Sequence, residues 1–216
     1  SLLFLVTHGS DLDLEHWEAS VKALPARDRR WIDEAGAISR QRSFFHWDVD
    51  FPDVFFATRR PAELRRFDAV VGNPPYDELS EYAAGEELPE KEYLQETPLY
   101  EPAKGGRQNV FRYFVVRATT LVRDNGAHSF IVPMALLTDQ FTLALRKWLL
   151  QNYQFTRLDQ YPQKDDPTRR IFFEANLSTC VYSLRRAAPG TTATTVRTHP
   201  ANIVERKAAK FEAVQT

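Results

Sequence analysis

The chain has 216 residues, 43% hydrophobic and 26% charged, which fits one globular domain of ordinary to large size, or part of a larger protein, and excludes a disordered or fibrous chain. With 28 basic against 29 acidic residues the net charge is −1, so the composition carries no global signal for nucleic acid and any basic surface is local. The single cysteine, Cys180, excludes an internal disulfide and a multi-cysteine metal site, and no apolar run approaches the roughly 20 residues that span a bilayer, so the chain reads as cytoplasmic with no membrane partner.

The opening "SLLFLVTHGSD" is apolar but has neither a basic n-region nor a small-residue cleavage site, so it reads as a short strand or helix end rather than a signal peptide. Residues 14–40 are rich in Arg, Glu and Ala and read as helical, with a break near Pro25. "RSFFHWDVDFPDVFF", residues 42–56, is dense in aromatics and reads as extended chain seeking a core. "FDAVVG", residues 67–72, is a short apolar run ending in glycine, the pattern of a strand buried on both faces.

Residues 77–107 are acidic and then punctuated by Pro and Gly, which reads as a long loop; loops of that length inside a compact domain are often functional. "QNVFRYFVVRATTLVRDNG" has helical spacing with Asn125 and Gly126 as its stop. "AHSFIVP" follows as a buried strand. "TDQFTLALRKWLLQNY" predicts a helix capped by Thr138 or Asp139, with an apolar stripe at Phe141, Leu145, Trp148 and Leu149. "FTRLDQY" and "ANLSTCVYSLRR" read as two further strands. This order predicts an α/β sheet, mostly parallel, closed by an antiparallel strand pair. The segments divide as 1–42, a helical insertion or linker; 43–188, a catalytic region; and 189–216, a linker or the start of the next region.

The chemistry is concentrated where "FDAVVG" runs into Asn73-Pro74-Pro75-Tyr76. Proline cannot donate to a sheet ladder, so the strand ends there, and both prolines hold the chain extended and stiff. Ligand sites of open α/β sheets lie just past the carboxyl ends of strands. The result is a rigid rim with a side-chain carbonyl at Asn73, backbone carbonyls without competing donors, and the ring of Tyr76. Two carbonyls can accept both hydrogens of a planar NH2 group while a ring stacks on its π system, which aims an otherwise delocalised lone pair at an electrophile. The plainer reading is a turn, since Asn and Pro are common turn formers; an apolar strand and glycine immediately before the tetrapeptide favour the chemical one.

"GNPPY" after "FDAVV" resembles the catalytic motif of the adenine-N6 DNA methyltransferases. "RQNVFRYFVVRATTLVRDNGAHSFIVP" is similar to a helix-and-strand segment of that family, and "RRIFFEANLSTCVYSL" to its later motif near the target base. "FFHWDVDFPDVFF" resembles a phrase of the large type II restriction–modification and phage-defence methylases. The resemblance runs from about residue 43 to 184 and is absent before about residue 40. It implies the C-terminal half of a Rossmann-like S-adenosylmethionine-dependent methyltransferase domain that methylates a flipped adenine in double-stranded DNA. The Asn73 side chain and the Pro74 carbonyl would hold the amino group, Tyr76 and Phe172 would sandwich the base, and Asn73, Pro75, Val110 and Phe114 would line the donor pocket. Base extrusion costs unstacking energy that aromatic stacking offsets. Lys104, Arg107, Arg169 and Arg170 flank these motifs as candidate phosphate contacts.

The family's glycine-rich donor loop is missing: no G-x-G occurs in the chain. That departure reads as a piece of a longer polypeptide with further domains. His46, Asp48, Asp50 and Asp53 crowd together, but their aromatic neighbours and the alternation of an extended chain favour structural or surface roles over metal ligation. Cys180, in an apolar strand, reads as a buried small hydrophobe. Two alternatives stay open: the same amine chemistry on an RNA guanine or a protein glutamine, and a non-catalytic DNA-binding or assembly module built on half of a methylase fold.

Overall fold

The computed structural model describes residues 22–42, 45–56, 61–79, 89–162, 164–165, 172, 176–186 and 194–199. The expected element at residues 1–6, the first part of the expected helix at 14–21, and Arg169 and Arg170 lie outside these. Two compact units divide the chain, Ser1–Asp53 and Val54–Thr216.

In the first unit, helix α1 (Ala26–Arg42) starts directly after Pro25, whose carbonyl accepts the Asp28 and Arg29 N–H groups. An i,i+4 ion pair between Arg30 and Glu34 (3.2 Å) and the Arg27 guanidinium 4.9 Å over the Trp31 ring support its exposed surface. The aromatic stretch that follows is not extended. It forms two short helical turns, α2 (Trp47–Asp50) and α3 (Pro52–Phe55), and neither contains a buried residue. The reason is local: the Asp50 carboxylate accepts the His46 N–H at 2.8 Å, closing a turn that an extended chain would lack. Phe45, Trp47 and Phe51 pack on one another, with ring centroids 4.9–6.0 Å apart.

The second unit is built on a five-stranded sheet of order β1-β2-β4-β3-β5. Its strands are β1 (Phe67–Gly72), β2 (Val122–Pro133), β3 (Gln154–Tyr161), β4 (Thr179–Arg185) and β5 (Thr195–Thr198). β1 is parallel to β2 and β3 to β5, while β4 runs antiparallel between β2 and β3. The antiparallel strand therefore sits inside the sheet, and the ends of β1, β2, β3 and β5 share one carboxyl edge.

Contrary to the sequence reading, β1 is not buried on both faces. It is an edge strand with no buried residue, and Val71 is 79% exposed, because only β2 pairs with it among the described residues. β5 was not legible as a strand; Thr195, Val196 and Thr198 are β-formers, but the four residues carry no apolar face.

Part of the expected 77–107 loop is helical: α4 (Pro89–Glu96) and a 3-10 stretch, Pro98–Ala103, which buries Tyr100 and Ala103. Helix α5 (Val110–Leu121) follows, its N-cap Asn109 accepting the Phe111 N–H at 3.3 Å. It ends at Leu121, not at Asn125-Gly126. Those two residues instead form a bulge inside β2, with Asn125 at φ 59° and the pairing jumping from Val122 to Ala127. Glycine is required at 126, where a Cβ would stand 2.8 Å from the Asp68 carbonyl oxygen.

After β2 come α6 (Ala135–Thr138), a 3-10 turn capped by Asp139, and α7 (Leu143–Asn152). Of the expected stripe, Leu145 and Leu149 are fully buried and Trp148 packs against the core, while Phe141 is exposed. The core lies between these helices and the sheet, around Phe111, Val115, Val116, Leu136, Leu145, Tyr182 and Leu184. Each such aliphatic or aromatic side chain contributes about 1.5–3 kcal/mol on burial.

Candidate active site

β1 ends at Gly72, and residues 73–77 continue with no regular structure, as two adjacent prolines dictate. Asn73 is exposed and Pro74 is buried. Among the described residues no donor takes the Asn73 side-chain oxygen or the Pro74 carbonyl. The carbonyls of Tyr76 and Asp77 are both held: Asn109 Nδ2 donates to the first at 2.7 Å, and the Val110 N–H to the second at 2.8 Å. The Leu79 N–H donates to the Gln108 carbonyl at 2.7 Å. The rim is thus pinned at 76 and 77, while the acceptors at 73 and 74 are untaken among the described residues.

Tyr76 is half-buried, and its hydroxyl donates to the Ile131 carbonyl at 3.2 Å. Burial pushes the phenol up to about 12, so it stays a neutral donor across the physiological range. The ring is fixed by this bond to β2 at one end and by the pinned main chain at the other.

Phe172 lies in the β3–β4 connection, on the same carboxyl edge, and is half-buried. Among the described residues it makes no ring contact with Tyr76. Pro75 is exposed, Val110 opens α5 and is half-buried, and Phe114, one turn on, is 47% exposed. These three side chains suit the adenine ring of a nucleoside methyl donor; groups for its ribose and carboxylate are not among them. Lys104 is ion-paired with Glu101 at 2.8 Å, whereas the Arg107 side chain is 80% exposed, with Glu78 3.9 Å away.

Sequence reasoning missed two residues that organise this rim. Asn109 stood inside a recognised motif without a role; its side chain caps α5 and ties down Tyr76 together. Arg112 drew no reading from its sequence and is 1% exposed. A second polar cluster also went unread. Asp159 is bonded to Arg157 Nη2 and His199 Nε2, each at 3.1 Å, and the His199 ring stacks on Tyr161 at 4.5 Å. Although burial opposes it, hydrogen bonds from Arg157 and His199 hold the Asp159 carboxyl below its ordinary range. Cys180 is fully buried, its thiol pushed up to about 12, as a small hydrophobe should be.

The mixed α/β sheet, with one antiparallel strand inside it, has the Rossmann-like fold of S-adenosylmethionine-dependent methyltransferases. The family model of the Eco57I restriction-modification methylase matches residues 3–166, and the chain belongs to that family. The match begins at residue 3, so family likeness reaches some forty residues further toward the N-terminus than the sequence reading placed it. S-adenosylmethionine is the methyl donor of these methylases.

A curated protein of Methanocaldococcus jannaschii that carries the name of a type II restriction enzyme and methyltransferase is 26% identical over 147 residues, 67% of this chain and 10% of that protein. The DrdV–DNA complex is similar in fold, with a TM-score of 0.52 and 18% identity over 71% of this chain and 16% of that one. So is a nuclease-deletion mutant of the Type ISP restriction-modification enzyme LlaGI with a DNA substrate mimic (TM-score 0.51, 16% identity, 71% and 16% coverage). The chain thus spans about a tenth of the length of the curated relative it matches.

Proposed function

We propose that this chain carries the catalytic rim of a DNA adenine-N6 methyltransferase within a longer restriction–modification or phage-defence polypeptide. The observation that carries the reading is the contrast along residues 73–77: among the described residues the Asn73 side chain and Pro74 carbonyl have no donor, while the carbonyls of Tyr76 and Asp77 are held by Asn109 and Val110. A stiff loop with two adjacent vacant acceptors fits an NH2 group. Membership of a restriction-modification methylase family supports duplex DNA as the substrate.

S-adenosylmethionine, when bound, supplies an electrophilic methyl group. The protein's own part is positional. Asn73 Oδ1 and the Pro74 carbonyl accept the two hydrogens of the adenine amine and turn its lone pair out of conjugation with the ring. Tyr76 stacks on one face of the extruded base and Phe172 on the other, offsetting part of the unstacking cost. Pro75, Val110 and Phe114 shape the apolar side of the donor pocket. Lys104, Arg107, Arg169 and Arg170 are the proposed phosphate contacts, of which Arg107 is the most exposed described member.

In the full-length protein, Asn73→Ala is expected to lower methyl transfer by about 100-fold or more with donor binding still measurable. Tritiated-methyl incorporation and calorimetry with S-adenosylmethionine read the two separately. Near-normal turnover would remove Asn73 from the chemistry.

A further inference from the structure

Residues 104–107, Lys-Gly-Gly-Arg, are organised by a side chain beneath them. Arg112 Nη1 donates to the carbonyls of Gly105 (2.8 Å) and Arg107 (2.9 Å), and Nη2 to that of Lys104 (2.9 Å). Three of the loop's four carbonyls therefore face inward onto one guanidinium. Their N–H groups are left over: among the described residues no acceptor takes those of Gly105, Gly106 or Arg107, and all three residues are exposed.

The buried cation is itself unusual. Arg112 is 1% exposed, and among the described residues no carboxylate forms an ion pair with it. A buried, unpaired charge is costly. Asp139 is the carboxylate whose charge acts on Arg112 and offsets part of that cost; with three carbonyls drawn onto the guanidinium, the N–H groups left without an acceptor on the exposed loop have the electrostatics of an anion site.

The loop can be approached closely and is held in place. Gly105 and Gly106 sit at φ 88° and 61°, and a Cβ on Gly106 would stand 2.2 Å from the Phe141 ring. Through Gln108, Asn109 and Val110 the same segment is hydrogen-bonded to residues 76–79. Arg107 adds an exposed cation, and its 3.9 Å pairing with Glu78 is a surface contact that is readily given up.

We infer that residues 104–107 form a main-chain anion loop that grips one phosphodiester of the DNA beside the catalytic rim, with Arg112 as the positioning residue that turns its N–H groups outward without touching the nucleic acid. This rests on the reading of the chain as a DNA methylase. It goes further in assigning backbone amides, and a buried arginine, to phosphate recognition.

The test is a double-mutant cycle between protein and DNA. Single phosphates around the target are replaced one at a time by neutral methylphosphonates. Affinity for the full-length protein is then read by fluorescence anisotropy. One position is expected to weaken wild-type binding about tenfold, the worth of one or two charge-assisted hydrogen bonds. Arg112→Met should weaken binding to the unmodified duplex by a similar factor and abolish the further penalty at that one position, while Arg112→Lys falls between. Should Arg112→Met fail to fold in thermal melts, Gly106→Ala, which distorts the loop through Phe141 and its positive φ, carries the same cycle. The inference is overturned if no methylphosphonate weakens wild-type binding, or if the penalty at every position is unchanged in the variant. Methyl transfer is read separately, so a protein that methylates adenine yet lacks the phosphate coupling loses only this inference.

Discussion

The two ends of the sheet's carboxyl edge both hold polar side chains beside an aromatic ring, and they use their hydrogen bonds in opposite ways. At the β1 end the main chain is tied and the side chain is free: Asn109 and Val110 hold the carbonyls of Tyr76 and Asp77, while Asn73 is exposed. At the β3–β5 end the side chains are tied to one another. Arg157, Asp159 and His199 form a closed set under the Tyr161 ring, with the Asp159 carboxylate nearly all buried. A polar group whose capacity is used up internally stabilises the fold. One held in place but left with vacant acceptors can meet a substrate.

The largest separation between the two ends is expected from their aromatic rings. Tyr76→Ala removes the stack on the extruded base, for which about 1–3 kcal/mol is typical. The fluorescence rise of 2-aminopurine at the target position should shrink accordingly; an undiminished signal would take Tyr76 out of the stack.

Asp159→Ala works the other way. It leaves His199 without its buried partner and should cost about 2 kcal/mol of stability, read by urea unfolding, with methyl transfer per folded molecule unchanged. A selective loss of turnover would join the two ends functionally and break the contrast drawn between them.

His128 sharpens the structural side with pH. It lies on β2 opposite Leu184 of β4 and is 2% exposed, and burial lowers its pKa from 6.5 to about 3. Over that interval the unfolded chain binds a proton that the folded chain refuses. Stability from this group is therefore complete above 6.5 and declines as the pH falls toward 3, by about 1.4 kcal/mol per pH unit. His128→Gln should flatten that component of the unfolding profile; an unchanged slope would mean that the imidazole is solvated.

How much of this was legible in the sequence depends on whether the signal was local. The β1 boundary at Gly72 and the Asn-Pro-Pro break were readable, because proline chemistry acts on its own neighbours. Asp139 as a cap and the Leu145–Leu149 spacing were readable for the same reason. The exposure of β1 was not, since an apolar run does not say how many strands flank it. The aromatic stretch at 45–56 misled because the Asp50 carboxylate closes a helical turn that aromatic content alone does not reveal. Arg112 was illegible in principle: an arginine in a helix is ordinarily a surface group, and only the returning 104–107 loop gives it carbonyls to bind. The His199–Asp159 pair joins residues 40 apart in sequence, with no motif to announce it.

The identity of the methylated nucleoside decides whether the vacant acceptors at Asn73 and Pro74 do what their placement suggests. Duplex DNA incubated with the full-length protein and S-adenosylmethionine, then digested and resolved by mass spectrometry, should yield N6-methyladenine, and yield none with Asn73→Ala. Methylation confined to another base, or N6-methyladenine undiminished in that variant, would contradict the assignment.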